Sequence, residues 1–347
     1  MSSSQNKLNI FVTGGTGYIG GAVISRLVQH PDTKSFEISA LVRTADKAKK
    51  LETLGVRPVI GSYSDLKVLT EEAAKADFVI ALADADALPA AEAILAGLKQ
   101  RHEKTGTVPK LIHTSGSAFI MDNAKGMHGD HTIYSDLDAD AIAALPETAP
   151  HRHVDMPIIA ANLEGYVRSY IVAPGTVFGT VSGPLVDLGI QNEHSIQFPL
   201  LFKVAIARKR ADYIGLGKNI WPAVEVNDTA DLFLTLFDAI RSKPDSVPYG
   251  REGIYFAESS EYTGYEIAKA TSQALVELGV SQPHEPTAFT PEELDQYFGK
   301  FWPFLSTNSR ARADRSRALG WKAIHGKDAL LASIKPELEY YWNESSK

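Results

Sequence analysis

Apolar residues fall along the chain in short runs that alternate with stretches of helical period. Leu8, Ile10, Phe11 and Val12 form the first run, and Ala22, Val23, Ile24, Leu27 and Val28 then recur at the spacing of one helix face. The alternation continues, with strands predicted over residues 36–43, 57–60, 78–82, 110–114 and 166–173 and helices over 45–54 and 88–104. Strands interleaved with helices pair in parallel through right-handed crossovers, so the pattern predicts an α/β protein with a doubly wound parallel sheet. Residues 118–149 break the rhythm with Gly, His and Asp around one short helix near 138–145. An insertion at the carboxyl ends of parallel strands lines the ligand crevice. Further on, the spacing predicts a helix at about 196–208, a strand near Tyr213 and a helix capped by Asp228 with Ala230, Leu232, Phe233, Leu236, Phe237 and Ile240 on its apolar face. A last strand at 254–257 and helices at 265–278 and 291–298 complete the pattern, the late elements forming a smaller lobe over the crevice.

Composition narrows the class. A chain of 347 residues with 44% hydrophobic content buries a large core. Its net charge of −7, without any basic run, argues against nucleic acid or an anionic membrane as partner. No apolar stretch reaches spanning length, and the first seven residues read as a loose tail lacking the apolar core of a signal peptide. The absence of cysteine removes disulfides, thiolate metal sites and cysteine nucleophiles together, and fits a reducing, cytoplasmic setting.

The junction Thr13-Gly14-Gly15-Thr16-Gly17-Tyr18-Ile19-Gly20 carries the strongest chemical signal. Glycines that permit a tight turn, close backbone approach and helix-to-strand packing, set between an apolar strand and an amphipathic helix, form a cradle for a dinucleotide diphosphate. The second strand ends Leu41-Val42-Arg43-Thr44, with a guanidinium where an NAD-preferring site keeps a carboxylate, so Arg43 points to NADP(H) over NAD(H).

These residues resemble the extended short-chain dehydrogenase/reductase family, the NAD(P)-dependent epimerase/dehydratase-like proteins. Thr114-Ser115-Gly116-Ser117 resembles its active-site hydroxyls, Pro174-Gly175-Thr176-Val177-Phe178-Gly179 its turn near the nicotinamide, and residues 224–228 with Leu319-Gly320-Trp321 its late signatures. His151-Arg152-His153-Val154-Asp155 and Ser195-Ile196-Gln197-Phe198-Pro199 are similar to a fungal branch of atypical members. The resemblance implies an NADP-binding Rossmann domain over 7–180, returning at about 213–257, with a smaller substrate-binding lobe from 181–212 and 258–347. It implies cofactor contacts from Gly14, Thr16, Gly17, Tyr18, Ile19 and Gly20, from Arg43, from Leu82 and Ala83, and from Thr114, Pro174, Thr176 and Val177. It also implies a small-molecule substrate and a monomer or homodimer, the helix from Leu88 being one that often pairs subunits in the family.

In that family a Tyr-x-x-x-Lys pair on the helix after the fifth strand moves the proton and holds the ribose. Here residues 119–166 contain only Tyr134 and Tyr166 as tyrosines and Lys125 as their lysine, and no such pair. Two literal matches, Tyr63 with Lys67 and Tyr265 with Lys269, stand in the wrong places to serve. The expected helix instead offers His151, Arg152 and His153, with Arg152 and His151 spaced to form ion pairs with Asp155. Arg152 is a substitute for the lysine field, while Tyr134, His151 or His153 is the candidate proton carrier and Ser115 or Ser117 the group that polarises a substrate oxygen. His128, Asp130 and His131 lie close in sequence but lack converging ligands, so no metal is expected. The functional expectation is an NADP(H)-dependent oxidoreductase acting on a carbonyl or alcohol; the alternatives are a redox-neutral lyase or isomerase and a non-catalytic NADP(H) sensor.

Overall fold

The computed structural model describes residues 7–345, so the expected tail lies, apart from Lys7, outside the described residues. The strands are β1 (Leu8–Thr13), β2 (Phe36–Val42), β3 (Arg57–Ile60), β4 (Phe78–Ala81), β5 (Lys110–Thr114), β6 (Tyr134–Ser135), β7 (Arg168–Pro174), β8 (Thr176–Phe178), β9 (Ile220–Glu225), β10 (Ile254–Ala257), β11 (Ser260–Thr263) and β12 (Ala311–Arg312). The helices are α1 (Tyr18–Val28), α2 (Ala45–Glu52), α3 (Leu66–Ala73), α4 (Leu88–Thr105), α5 (Ala139–Ala143), α6 (Arg152–Leu163), α7 (Pro184–Asp187), α8 (Gln197–Arg208), α9 (Val226–Ser242), α10 (Gly264–Glu277), α11 (Pro291–Phe298), α12 (Asp314–Ala318) and α13 (Lys327–Ser345).

Seven parallel strands form the central sheet in the order β10-β7-β5-β4-β1-β2-β3. Chain direction across the sheet reverses between β1 and β4, where Val12 pairs with Ile80, and a crevice opens at the carboxyl ends of strands on either side of such a switch. Both faces are covered, so the central strands are apolar nearly throughout: Phe11 and Val12 of β1 and Tyr170, Ile171 and Val172 of β7 are fully buried. α1 and α9 pack side by side on one face, burying Ile24, Leu27, Phe233 and Phe237. A second, three-stranded sheet, β11-β9-β8, borders a second core, in which Phe198, Phe202, Trp221, Leu275, Ile334 and Leu338 gather from α8, β9, α10 and α13. No helix among the described residues is long and apolar enough to cross a membrane.

Two local expectations change, and the structure sets the start of α6. The strand near Tyr213 shrinks to a single bridge to Ala288, because Gly215 and Gly217 both turn the backbone into positive φ just beyond it. The cap of α9 is Glu225, not Asp228: the Glu225 carboxylate accepts from the amides of Asn227 and Asp228 at 2.5 and 3.1 Å, which starts the helix earlier. Pro150 lies outside α6, whose cap is His151, and Pro157 sits within a helix that continues past it.

Candidate active site

At the first junction the chain turns through Gly14, whose φ is 69°; a Cβ there would lie 2.4 Å from the Leu82 carbonyl oxygen. A Cβ on Gly20 would lie 2.1 Å from the Gly14 carbonyl oxygen, so the first turn of α1 seats directly on the loop only because that atom is missing. The Gly17 amide donates to the Gly14 carbonyl at 2.8 Å, whereas those of Tyr18, Ile19 and Gly20 meet no acceptor among the described residues. Free amides at the positive end of a helix, approached by a side-chain-free loop, suit a diphosphate. The expected contacts Leu82 and Ala83 back this turn, Thr16 and Tyr18 offer their carbonyls elsewhere, and the Tyr18 hydroxyl donates to the Gly179 carbonyl at 2.5 Å.

Arg43 is exposed just past β2, and Lys47 follows one turn into α2. Burial, and then repulsion from Arg43, lower the Lys47 pKa from the ordinary lysine value. Lys47, unremarked in the sequence, had a legible signal in its spacing from Arg43. Beside it, residues 188–192 run along the cradle: the Lys47 ammonium donates to the Ile190 carbonyl at 2.9 Å, Gln191 Nε2 to the Tyr18 carbonyl at 2.9 Å and the Asn192 amide to the Thr16 carbonyl at 2.9 Å.

The other end of the crevice lies past β4 and β5. The Ser115 amide donates to the Val172 carbonyl at 2.8 Å, and its hydroxyl donates to Asp155 Oδ2 at 2.8 Å, both side chains being buried. His151 caps α6 with φ 67°, a left-handed conformation that is costly for any residue but glycine. This turn brings its ring over Gly116, where a Cβ would stand 2.9 Å from Nε2, while Nδ1 pairs with Asp86 Oδ1 at 2.8 Å. His153 Nε2 reaches the Asp86 carbonyl at 3.0 Å and is half exposed. Asp86 was missed in the sequence, although an acid just beyond a parallel strand faces the crevice by position. His113 was missed too: it is buried on β5, 3.8 Å from Asp155 Oδ1, and burial pushes its pKa down to about 4.

The two expected ion pairs to Asp155 do not form. Arg152 is buried and donates to the carbonyls of Ile142 and Ala143 at 3.2 and 3.5 Å and to Met156 Sδ at 3.3 Å, at the end of α5. It therefore braces the insertion. Tyr134 sits on β6 beside β12, its ring near His131. Ser117 is buried with an unpartnered hydroxyl, and its carbonyl accepts from Ser309. Thr114 is likewise buried with its hydroxyl unpartnered. Pro174 ends β7, Val177 is half-buried on β8, and the Thr176 hydroxyl meets Tyr262 Oη at 2.7 Å and Gln197 Oε1 at 2.9 Å. His128 and Asp130 are exposed, and His131 turns to the Ile120 carbonyl. Of the stray tyrosine–lysine matches, Lys67 is fully in solvent and Tyr265 bonds Glu285 on the surface.

A glycine cradle and a titratable cluster at the carboxyl edge of a switched parallel sheet define a dinucleotide-binding α/β protein. The chain is 30% identical over 332 residues to oxidase ucsJ of Acremonium sp, covering 91% of this chain and 92% of that relative. Residues 6–101 match the NmrA-like family. The fold is similar to UDP-glucose 4-epimerase of Thermotoga maritima, at 15% identity and TM-score 0.62 over 98% of this chain and all of that one. It is also similar to yeast methylglyoxal/isovaleraldehyde reductase Gre2, solved with NADPH, at 14% identity and TM-score 0.59 over 97% and 100% of the two chains. The chain belongs to the extended short-chain dehydrogenase/reductase family.

Proposed function

We propose that the chain is an NAD(P)-dependent oxidoreductase that uses NADP(H) to interconvert a carbonyl and an alcohol on a small organic substrate, with His151 carrying the proton. The observation behind it is the imidazole of His151, braced by Asp86 and held over Gly116 next to Ser115, one helical turn before Asp155. His151 and Asp155 have the four-residue spacing of the missing pair. The relative ucsJ is an oxidase and the structural neighbour Gre2 a reductase, which supports redox chemistry, and the Arg43–Lys47 pair supports NADP(H).

The free amides of residues 18–20 would hold the diphosphate and Arg43 with Lys47 the ribose phosphate. A bound nicotinamide supplies the hydride to the carbonyl carbon, or accepts it in the reverse direction. Ser115 polarises the oxygen. With Nδ1 committed to Asp86, Nε2 of His151 gives the proton in reduction and takes it in oxidation, and half-exposed Asp86 leaves the pair open to solvent for re-equilibration.

NADPH absorbance followed against a panel of aldehydes and ketones tests the reading. Oxidation by wild type, suppressed in His151→Ala with NADPH affinity retained in calorimetry, is the expected result. Substrate conversion without any net change in the nicotinamide band would sink it.

A further inference from the structure

We propose that Asp155 is a positioning residue whose protonated carboxyl donates to Ser115 Oγ and so turns the serine O–H outward, toward the substrate oxygen. This rests on the reading of Ser115 as the polarising group. The hydroxyl has one proton: while it is given to an ionised Asp155, Ser115 has nothing to donate to a carbonyl. If the carboxyl carries a proton, the bond reverses and the serine hydrogen is released for the substrate.

The surroundings favour the neutral acid. Both oxygens of Asp155 are buried, yet among the described residues the hydroxyl of Ser115 is the single hydrogen-bond partner of the pair, and Oδ1 has none. A carboxylate buried with one hydrogen bond is costly, whereas a carboxylic acid needs fewer partners. The groups facing it do not supply a counter-ion in contact. His113 on β5 stands 3.8 Å away with Nε2 unpartnered, and burial keeps that imidazole neutral. Arg152 on the same helix directs its guanidinium to α5, and His151 is taken by Asp86. Arg152 and His153 favour the charged form from a distance, Ser115 favours it by contact and Asp86 opposes it; burial outweighs the favourable ones and pushes the Asp155 pKa up to about 7.

The acid keeps its proton through turnover, since Ser115 lends a hydrogen bond and His151 supplies the proton. Carbonyl reduction therefore falls as pH rises through neutrality, when Asp155 ionises and reclaims the serine hydrogen. An asparagine replaces the acid in this respect, its amide donating to Ser115 Oγ at every pH.

Two readouts test the proposal. Infrared difference spectra of wild type against D155N, recorded on the whole protein without substrate, should contain a neutral carboxylic acid C=O band below neutrality that vanishes above it and shifts in S115A, where its acceptor is lost. Rates of NADPH oxidation with a reducible aldehyde should drop about tenfold or more in D155A, recover in part in D155N, and fall less with pH in D155N than in wild type, the fall that remains belonging to His151. Absence of the band, or a D155N rate as low and as pH-dependent as that of D155A, overturns the proposal. If no aldehyde or ketone is reduced at all, the proposed function fails, and the infrared arm still decides the state of Asp155.

Discussion

At the β1–α1 junction the groups left free are backbone amides, whereas at the β5–α6 junction the groups gathered are titratable side chains. The first end works by the removal of atoms: Gly14 and Gly20 let a loop, a helix and the Leu82 carbonyl approach to distances that no Cβ allows. The second works by crowding. Asp86, His113, Ser115, His151 and Asp155 share one small region, and a left-handed residue aims one of them. An amide cradle is insensitive to pH and tolerant of the sequence around it, while a side-chain cluster depends on each partner.

Breaking the first end has the largest expected effect. Gly20→Val forces a branched side chain onto the Gly14 carbonyl, so NADPH binding in calorimetry should disappear and the melting temperature should fall with it. Retained binding would mean that the dinucleotide sits elsewhere. Next comes the second end: His151→Ala removes the proton carrier and should lower kcat about 10²–10⁴-fold with NADPH affinity held. An equal loss of affinity would make His151 a cofactor contact instead.

The contrast between the ends explains what could be read from residues alone. The cradle is contiguous, since residues 13–20 hold the strand end, the turn and the helix start, and each glycine has a local reason. The apolar runs that became β1, β2, β4, β5, β7 and β10 were legible for the same reason, burial on both faces. The cluster is not contiguous. Asp86 follows β4, His113 and Ser115 belong to the end of β5, and His151 follows an insertion, so nothing local announces that they meet. The four-residue spacing of His151 and Asp155 was visible, but it suggested a pair; the left-handed cap sends the imidazole to Asp86 and burial sends Asp155 to Ser115. The small sheet of β8, β9 and β11 escaped notice because its strands are short and stitched across the chain.

A smaller effect sharpens the cradle. Arg43→Ala should weaken NADP(H) by about tenfold and leave NAD(H) nearly unchanged, since one charge-assisted contact to a phosphate is lost. Lys47 stays behind to hold part of the phosphate, and Lys47→Ala should act in the same direction while also freeing the Ile190 carbonyl. Equal losses for both coenzymes would show that neither cation reads the extra phosphate.

The smallest effects on turnover are expected from two residues of the insertion, and they separate being near the cluster from belonging to it. Tyr134 lies in the β6–β12 pair, so Tyr134→Phe should leave kcat within about twofold, well short of the loss expected when a general acid is removed. Arg152→Ala should cost about 1–3 kcal/mol of stability, because the buried guanidinium's hydrogen bonds to the Ile142 and Ala143 carbonyls, and the packing of its side chain, are lost. The rate per folded molecule should nonetheless persist, since the guanidinium contacts neither Ser115 nor His151. Denaturant titration and kcat measured on the same preparation distinguish the two outcomes. A kcat that collapses while the unfolding midpoint holds would move Arg152 from the scaffold of the insertion into the chemistry, and would mean that the positive field of the family's lysine has been kept in another residue.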